Sequence, residues 1–286
     1  VKIAHYLAPD GAPIAFQTLA GQFPALVAEF ADVEALKQGQ LPHVTPNIIT
    51  YSMDVQPEAM QRFPWAIHIQ PFVDGDFAPT PGVIQVFPSC AYGVLHGKQH
   101  NVPGHPLVIP NWVYPELWPM GGGGDYVAYV GRLWPAKMGP LNAIIEAMPD
   151  VQFIVAGEGR WFKQGQRNVE YVGQVPQAEV ARILRGSRAV LCPSQYCEPF
   201  GMSAVEAGLS GARVIASKLG AFQETLPPDA QLVSPTALDE WIAAIRAPDA
   251  MDRAGRRSHH MQLHAPQLAS RRYKDLFTQF CHEQRA

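Results

Sequence analysis

Short apolar runs rich in Val, Ile and Tyr, each closed by Gly, Pro or Ser, recur through the second half of the chain at residues 126–130, 151–156, 170–172, 189–192 and 213–216. Between them lie segments with helical spacing, at 140–148, 177–185, 201–209 and 237–246. Strands that alternate with helices imply a parallel sheet covered on both faces. The runs are continuous rather than alternating, as strands buried on both sides require. The first half repeats the theme less clearly, with candidate strands at 2–7, 47–51, 65–69, 82–86 and 107–109. The fold expected is α/β, with two doubly wound domains.

The stretch Tyr114-Pro-Glu-Leu-Trp-Pro-Met-Gly-Gly-Gly-Gly-Asp125 separates the halves. Four consecutive glycines favour neither helix nor strand and read as a flexible connection. The expected domains are therefore 1–118 and 119–267, with 268–286 a terminal helix. On that helix Tyr273, Leu276, Phe277, Phe280 and Cys281 form one apolar stripe, which must be buried. Arg271, Arg272 and Lys274 occupy its other faces, as solvated charges do.

Composition narrows the classes. The chain has 286 residues, 47% of them hydrophobic and 16% charged, enough for a real core and too apolar for disorder. A net charge of −3 lacks the basic excess of general nucleic-acid binding. No apolar run is long enough to span a bilayer, and residues 1–30 show no signal-peptide pattern. Cys90, Cys192, Cys197 and Cys281 form no C-x-x-C pair. Reduced thiols in a cytoplasmic protein are the simplest account.

The most specific stretch is Pro193-Ser-Gln-Tyr-Cys-Glu-Pro-Phe-Gly-Met-Ser-Ala-Val-Glu206. A buried strand ends, a loop carries Glu198, and Gly201 opens a helix that carries Glu206. Doubly wound folds bind ligands at the carboxyl ends of their strands. A helix N-terminus there aims free amides at a phosphate, and Gly201 removes the Cβ that would hold that phosphate away. The glutamates are eight positions apart, about 12 Å at helical rise, roughly the span from hexose to ribose in a nucleotide sugar. Each glutamate alone reads as ordinary. Val205, Ala207 and Leu209, however, make the helix too apolar for exposure, so Glu206 is expected to be semi-buried. A buried carboxylate needs a partner.

Directly after the strand at 126–130 comes Gly131-Arg132-Leu-Trp-Pro-Ala-Lys137-Met-Gly139. Arg and Lys on one strand-to-helix loop can clamp a diphosphate, one as a planar fork and the other as a point charge. Cations aimed at a departing nucleoside diphosphate stabilise the transition state without a metal.

Taken in order, Gly131-Arg132…Lys137, Phe153-Ile-Val-Ala-Gly157-Glu-Gly159, Tyr171-Val-Gly173, Glu198-Pro-Phe-Gly201…Glu206-Ala-Gly and Gly220-Ala-Phe-Gln-Glu224 resemble the donor half of the family 4 retaining glycosyltransferases. Those enzymes have the GT-B fold, two Rossmann-like domains facing across a cleft. Asn111-Trp-Val-Tyr114 resembles the family's Asn-Gly-Val-Asp, and the match covers most of residues 106–226. The terminal helix resembles the family's crossing helix, which returns to the N-terminal domain.

The resemblance implies a nucleotide-sugar donor, UDP-linked by preference, a hydroxyl acceptor between the domains and no metal cofactor. Glu198 would contact the sugar hydroxyls and Glu206 the ribose diol. Arg132 and Lys137 would hold the diphosphate, with backbone amides around Phe200, Gly201 and Met202. Gly11, Gly131, Gly157 and Val172 complete the donor contacts it implies. His68, read as ending its strand, would either stand near the donor sugar or be a hydrogen-bonded structural histidine. Anomeric configuration would be kept through front-face displacement assisted by the leaving phosphate.

Departures bear on this reading. Met138 interrupts the family's Lys-Gly, Ala221 replaces a second Gly, and the N-terminal domain is short. The alternative is a non-catalytic nucleotide-sugar-binding subunit, or one completed by a partner. Weaker signals read as incidental. Asp74-Gly-Asp76 imitates the metal-binding Asp-x-Asp of GT-A enzymes. His96 and His100 have ligand spacing, with His105 nearby, but no third ligand type. Gly157-Glu-Gly159 begins a dinucleotide fingerprint that Phe162 breaks, leaving little for an oxidoreductase. Arg160-Trp-Phe-Lys163 could touch a membrane surface peripherally. The sequence is silent on oligomeric state.

Overall fold

Runs of Val, Ile and Tyr leave a strand no solvated face, and among the described residues every strand pairing is parallel. The computed structural model describes residues 1–7, 14–43, 45–52, 55–71, 78–159 and 166–283, with the backbone alone at 14–18 and 283. Asp10, Gly11, Asp74, Asp76 and residues 160–163 lie outside the described residues. Two units divide the chain, Val1–Trp112 with Pro266–Ala286, and Val113–Ala265.

The first unit runs β1 (Lys2–Tyr6), α1 (Ile14–Val27), β2 (Asp32–Leu36), β3 (Ile48–Tyr51), α2 (Pro57–Arg62), β4 (Ile67–Gln70), β5 (Val83–Phe87), α3 (Cys90–His100) and β6 (Leu107–Val108). Among the described residues its six strands are ordered β2-β1-β3-β4-β5-β6. One more strand is present than the sequence suggests. β2 reads Asp-Val-Glu-Ala-Leu, an edge strand whose acidic positions hide the apolar pattern. β4 also differs: it starts at Ile67 and ends at Gln70, so His68 sits inside the strand and not at its end.

The second unit contains β7 (Val127–Val130), α4 (Pro135–Met138), α5 (Leu141–Ala147), β8 (Phe153–Ala156), β9 (Val169–Gly173), α6 (Gln177–Gly186), β10 (Ala189–Cys192), α7 (Met202–Leu209), β11 (Arg213–Ser217), α8 (Phe222–Thr225), β12 (Gln231–Val233), α9 (Leu238–Arg246) and α10 (Arg253–His264). Its sheet order is β12-β11-β10-β7-β8-β9. The pleat sends alternate residues to two cores. Val127, Tyr129, Phe153, Val155 and Leu191 pack with Leu141 and Ile145 of α5 and Trp241 of α9. Ala128, Val190, Val214 and Ala216 meet Leu184 of α6 and Ala204 and Val205 of α7. The sheet is doubly wound, as expected.

Two further features depart from the sequence reading. The four glycines lie within the second unit, where the Arg253 guanidinium bonds the Gly121 carbonyl at 2.6 Å and the Ser187 carbonyl at 2.9 Å. The Gly123 amide donates to Arg185 at 3.2 Å. The run is a bonded segment, because glycines let backbones approach closely enough to share one arginine. The chain changes unit instead at Trp112/Val113 and returns at Ala265/Pro266. α10 had no apolar period to reveal it. Its buried positions are Arg256, His260 and His264, so polar side chains occupy the helical stripe.

The last helix, α11 (Pro266–Glu283), is part of the first unit. Its Tyr273 stands edge-on to Phe23 of α1, ring centroids 5.0 Å apart, and Phe277 meets Phe30 at 6.2 Å. Tyr273, Leu276 and Phe277 are buried, which accounts for the stripe. Among the described residues, no helix is long and apolar enough to cross a membrane.

Candidate functional site

Strand order reverses between β7 and β10, where the helices leaving the two strands diverge and open a crevice at the strands' carboxyl ends. Three loops meet there. The Gln195 amide of the β10–α7 loop donates to the Ala136 carbonyl at 2.6 Å, joining it to the segment after β7. Gly139 (φ 48°) presses against the Pro193 carbonyl so closely that a Cβ would collide with it. From the β11–α8 loop, the Ala221 amide donates to the Glu198 carbonyl at 2.9 Å.

This lacing brings Lys137 to Glu198. The Lys137 Nζ lies 2.7 and 2.6 Å from the two Glu198 carboxylate oxygens. Ser194 donates to Oε2 at 2.9 Å. Burial pushes the Glu198 carboxyl up, but the Lys137 ammonium and hydrogen bonds from Lys137, Tyr196 and Ser194 hold it below the usual carboxylate range. The departures in these loops have structural roles. Met138 is buried in the core beneath α4 and α5, and Ala221, fully buried, supplies the amide that fixes Glu198.

Glu206 occupies the second turn of α7 and is half-buried. Burial raises its carboxyl to about 7, against the lowering pull of Lys137. Among the described residues, no hydrogen bond or ion pair engages that carboxylate. Glu198 lies in a loop and α7 starts only at Met202, so helical rise does not measure the separation of the two glutamates.

Arg132 is exposed. Its backbone carbonyl accepts from the Tyr129 hydroxyl at 2.8 Å, and its guanidinium lies over the Trp134 ring, 5.7 Å from the centroid. Gly131 and Gly157 are neighbours, with the Gly131 amide bonded to Ala156 at 3.0 Å and the Gly157 amide to Gly173 at 2.8 Å. Val172 is half-buried on β9 and packs against the α6–α7 core. Phe200 is buried, its ring edge-on to His264 at 5.3 Å, so only its backbone is available to a ligand.

Gly201 caps α7 in the left-handed region (φ 90°, ψ 49°). A Cβ there would lie 2.5 Å from the Phe222 ring. The glycine thus makes room for a packed aromatic as well as setting the turn, which differs from the phosphate-clearance role read from sequence. The Gly201 and Met202 amides have no acceptor among the described residues, as at any helix start.

His68 takes the structural place, and not the one near the donor sugar. Its Nδ1 bonds the Tyr51 hydroxyl at 2.6 Å and its Nε2 the Phe63 carbonyl at 3.1 Å. The ring stacks on Tyr51 at 5.9 Å and is buried. With both nitrogens engaged inside the first unit, His68 offers none to a substrate. The shift of β4 explains this, since a mid-strand residue points into a sheet face and not over its lip. Gly11 lies outside the described residues.

Sequence reasoning missed Ser194, Tyr196 and Trp134. Tyr196 places its hydroxyl 3.4 Å from Lys137 Nζ, and its ring lies 5.3 Å from Trp134. The signal available was one aromatic in each loop, three residues before Lys137 and two before Glu198. It acquires meaning only once the loops are known to touch. Among the described residues, no group of three or more His, Cys, Asp or Glu is placed to hold a metal.

Residues 124–247 match the family described as Glycosyl transferases group 1. The phosphatidyl-myo-inositol mannosyltransferase of Mycobacterium tuberculosis is 28% identical over 152 residues, covering 45% of this chain and 39% of that protein. The D-inositol 3-phosphate glycosyltransferase of Segniliparus rotundus is 30% identical over 156 residues, 45% of this chain and 34% of that protein. These matches span well under two thirds of either relative. Anabaena HepE, solved in complex with UDP-glucose, superposes with a TM-score of 0.76 at 15% identity, over 97% of this chain and 99% of its own. The likeness is one of fold, two Rossmann-like parallel domains of the GT-B type.

Proposed function

We propose, from the match of residues 124–247 to the group 1 glycosyltransferases, that the chain transfers a sugar from a nucleotide-sugar donor to a hydroxyl acceptor, with retention and without a metal. A UDP-sugar is the preferred donor, a reading supported by the UDP-glucose in the similarly folded HepE. The observation that carries the proposal is the Lys137–Glu198 pair at the point where strand order reverses.

In this reading the diphosphate lies against Lys137 and Arg132 and the free amides of Gly201 and Met202. Glu198 turns to the hydroxyls of the transferred sugar. Glu206, whose carboxylate has no protein hydrogen bond among the described residues, accepts from the ribose diol. As the glycosidic bond breaks, charge grows on the departing phosphate oxygen, and cations already aimed at it lower the barrier. The same oxygen takes the acceptor proton as the new bond forms on the face the donor leaves. Glu198 holds the sugar in place. Acceptors fitting this chemistry are saccharide, lipid or small-metabolite hydroxyls. The six-stranded sheet of the first unit gives no support to the alternative of a reduced, partner-completed subunit.

The test is a thermal-shift panel of UDP-, GDP- and ADP-sugars followed by transfer assays with EDTA present. A donor at a hundred times its dissociation constant stabilises the native state by about 2.7 kcal/mol. A melting shift with UDP-sugars and EDTA-resistant turnover is expected. Strict metal dependence, or undiminished turnover in Glu206→Ala, would contradict the proposal.

A further inference from the structure

We propose that Trp134 and Tyr196 are positioning residues that hold the cations Arg132 and Lys137 in register for a donor diphosphate; this rests on the donor-binding reading above. Three of the four side chains come from the segment after β7 and the fourth, Tyr196, from the β10–α7 loop. The Arg132 guanidinium carbon lies 5.7 Å from the Trp134 ring centroid, and the Trp134 and Tyr196 centroids are 5.3 Å apart at an interplanar angle of 48°. The Lys137 Nζ lies 5.7 Å from the Tyr196 centroid. The order is therefore cation, aromatic, aromatic, cation.

An aromatic partner does for a cation what a carboxylate cannot. A carboxylate binds the edge of a guanidinium, occupies its N–H donors and neutralises its charge. A ring takes the flat face and leaves donors and charge available to a phosphate. Among the described residues no ion pair involves Arg132, and its guanidinium partner is the Trp134 face. Trp134 remains 41% exposed, so burial of the indole alone does not account for its place beside α4. Lys137 is paired with Glu198, but the Tyr196 ring and hydroxyl give it a second support that persists when Glu198 turns to a sugar hydroxyl. Direct contact between the two rings ties the β10–α7 loop, which carries Tyr196, to the segment after β7 that carries both cations.

The experiment is calorimetric titration of UDP, and ligand-observed NMR titration of uridine, into the full chain and its variants. Trp134→Ala and Trp134→Leu should each weaken UDP about three- to thirtyfold, the range of a cation–π contact, while leaving uridine affinity unchanged. Trp134→Phe, which keeps a ring face, should bind UDP nearly as the wild type does. Tyr196→Phe should lie between Tyr196→Leu and the wild type. Trp134→Leu keeps the apolar bulk, so it tests the ring even where Trp134→Ala fails to fold. UDP binding by the wild type with equal affinity in Trp134→Leu overturns the proposal alone. Parallel loss of UDP and uridine affinity also overturns it, by pointing to a general structural role. Absence of UDP binding in the wild type overturns the donor reading, and the proposal with it.

Discussion

Lys137 of α4 and Glu198 of the β10–α7 loop form a direct ion pair with the ammonium 2.6 Å from one carboxylate oxygen and 2.7 Å from the other. Each is largely withdrawn from water, with side-chain exposures of 15% and 8%. A pair so placed has to share its partners with a ligand if it is to bind one.

Removing one member leaves the other charge buried. Lys137→Met should destabilise the second unit by about 3–5 kcal/mol. Glu198→Gln should cost less, about 1–3 kcal/mol, since an amide can still accept from Lys137. Combining the two should recover part of the Lys137→Met loss, as a double-mutant cycle from denaturant melts would show. Both single variants should lose at least about a hundredfold in transfer rate, the scale of lost electrostatic stabilisation.

Gly201→Ala should cost about 1–3 kcal/mol from the left-handed backbone alone, and more from contact with the Phe222 ring. Because Thr225 Oγ1 bonds the Phe200 carbonyl at 2.9 Å, the distortion should spread to α8. Loss of protection at the amides of residues 198–203 in hydrogen exchange is the expected signature.

His68→Ala should lower stability by about 2–4 kcal/mol, through a cavity and an orphaned Tyr51 hydroxyl. Donor affinity, read by titration under conditions where the variant is folded, should not change. A strong loss of affinity at unchanged stability would restore the role read from the sequence.

Acid should act through buried histidines. Burial depresses His5 to about 4, His260 to about 3 and His264 to about 4. Each is neutral in the native state while its unfolded counterpart protonates near 6.5. Stability is therefore present above pH 6.5 and falls as pH drops toward 3–4, by up to about 1.4 kcal/mol per pH unit for each residue. Glu206 acts in the opposite sense. Raised from 4.5 to about 7, it contributes stability below pH 4.5 that is lost as pH rises to about 7. Glu206→Gln should remove that opposing slope and steepen the net rise of stability between pH 4.5 and 7, in melts across that window.

The second sheet was legible in the sequence because its strands are buried on both faces, and Val, Ile and Ala at successive positions in β8, β10 and β11 have no other reading. β2 was not, since Asp32 and Glu34 at a sheet edge resemble a loop. α10 was not, because Arg256, His260 and His264 fill the stripe a hydrophobic count looks for. The glycine run misled for a related reason, as glycine marks close approach as readily as freedom, and only Arg253 reveals which. At the candidate site, Lys137 and Glu198 could be read from their motifs. The Trp134–Tyr196 contact could not, since it exists only between loops that the sheet order brings together. His68 turned on a small shift of a strand from 65–69 to Ile67–Gln70, which periodicity does not resolve.

The most direct test of the central claim is a crystal soaked with UDP-glucose. The diphosphate should lie within hydrogen-bond reach of Lys137 Nζ, with Glu198 released toward the glucose hydroxyls. Ligand bound elsewhere, with the Lys137–Glu198 pair undisturbed, would contradict it.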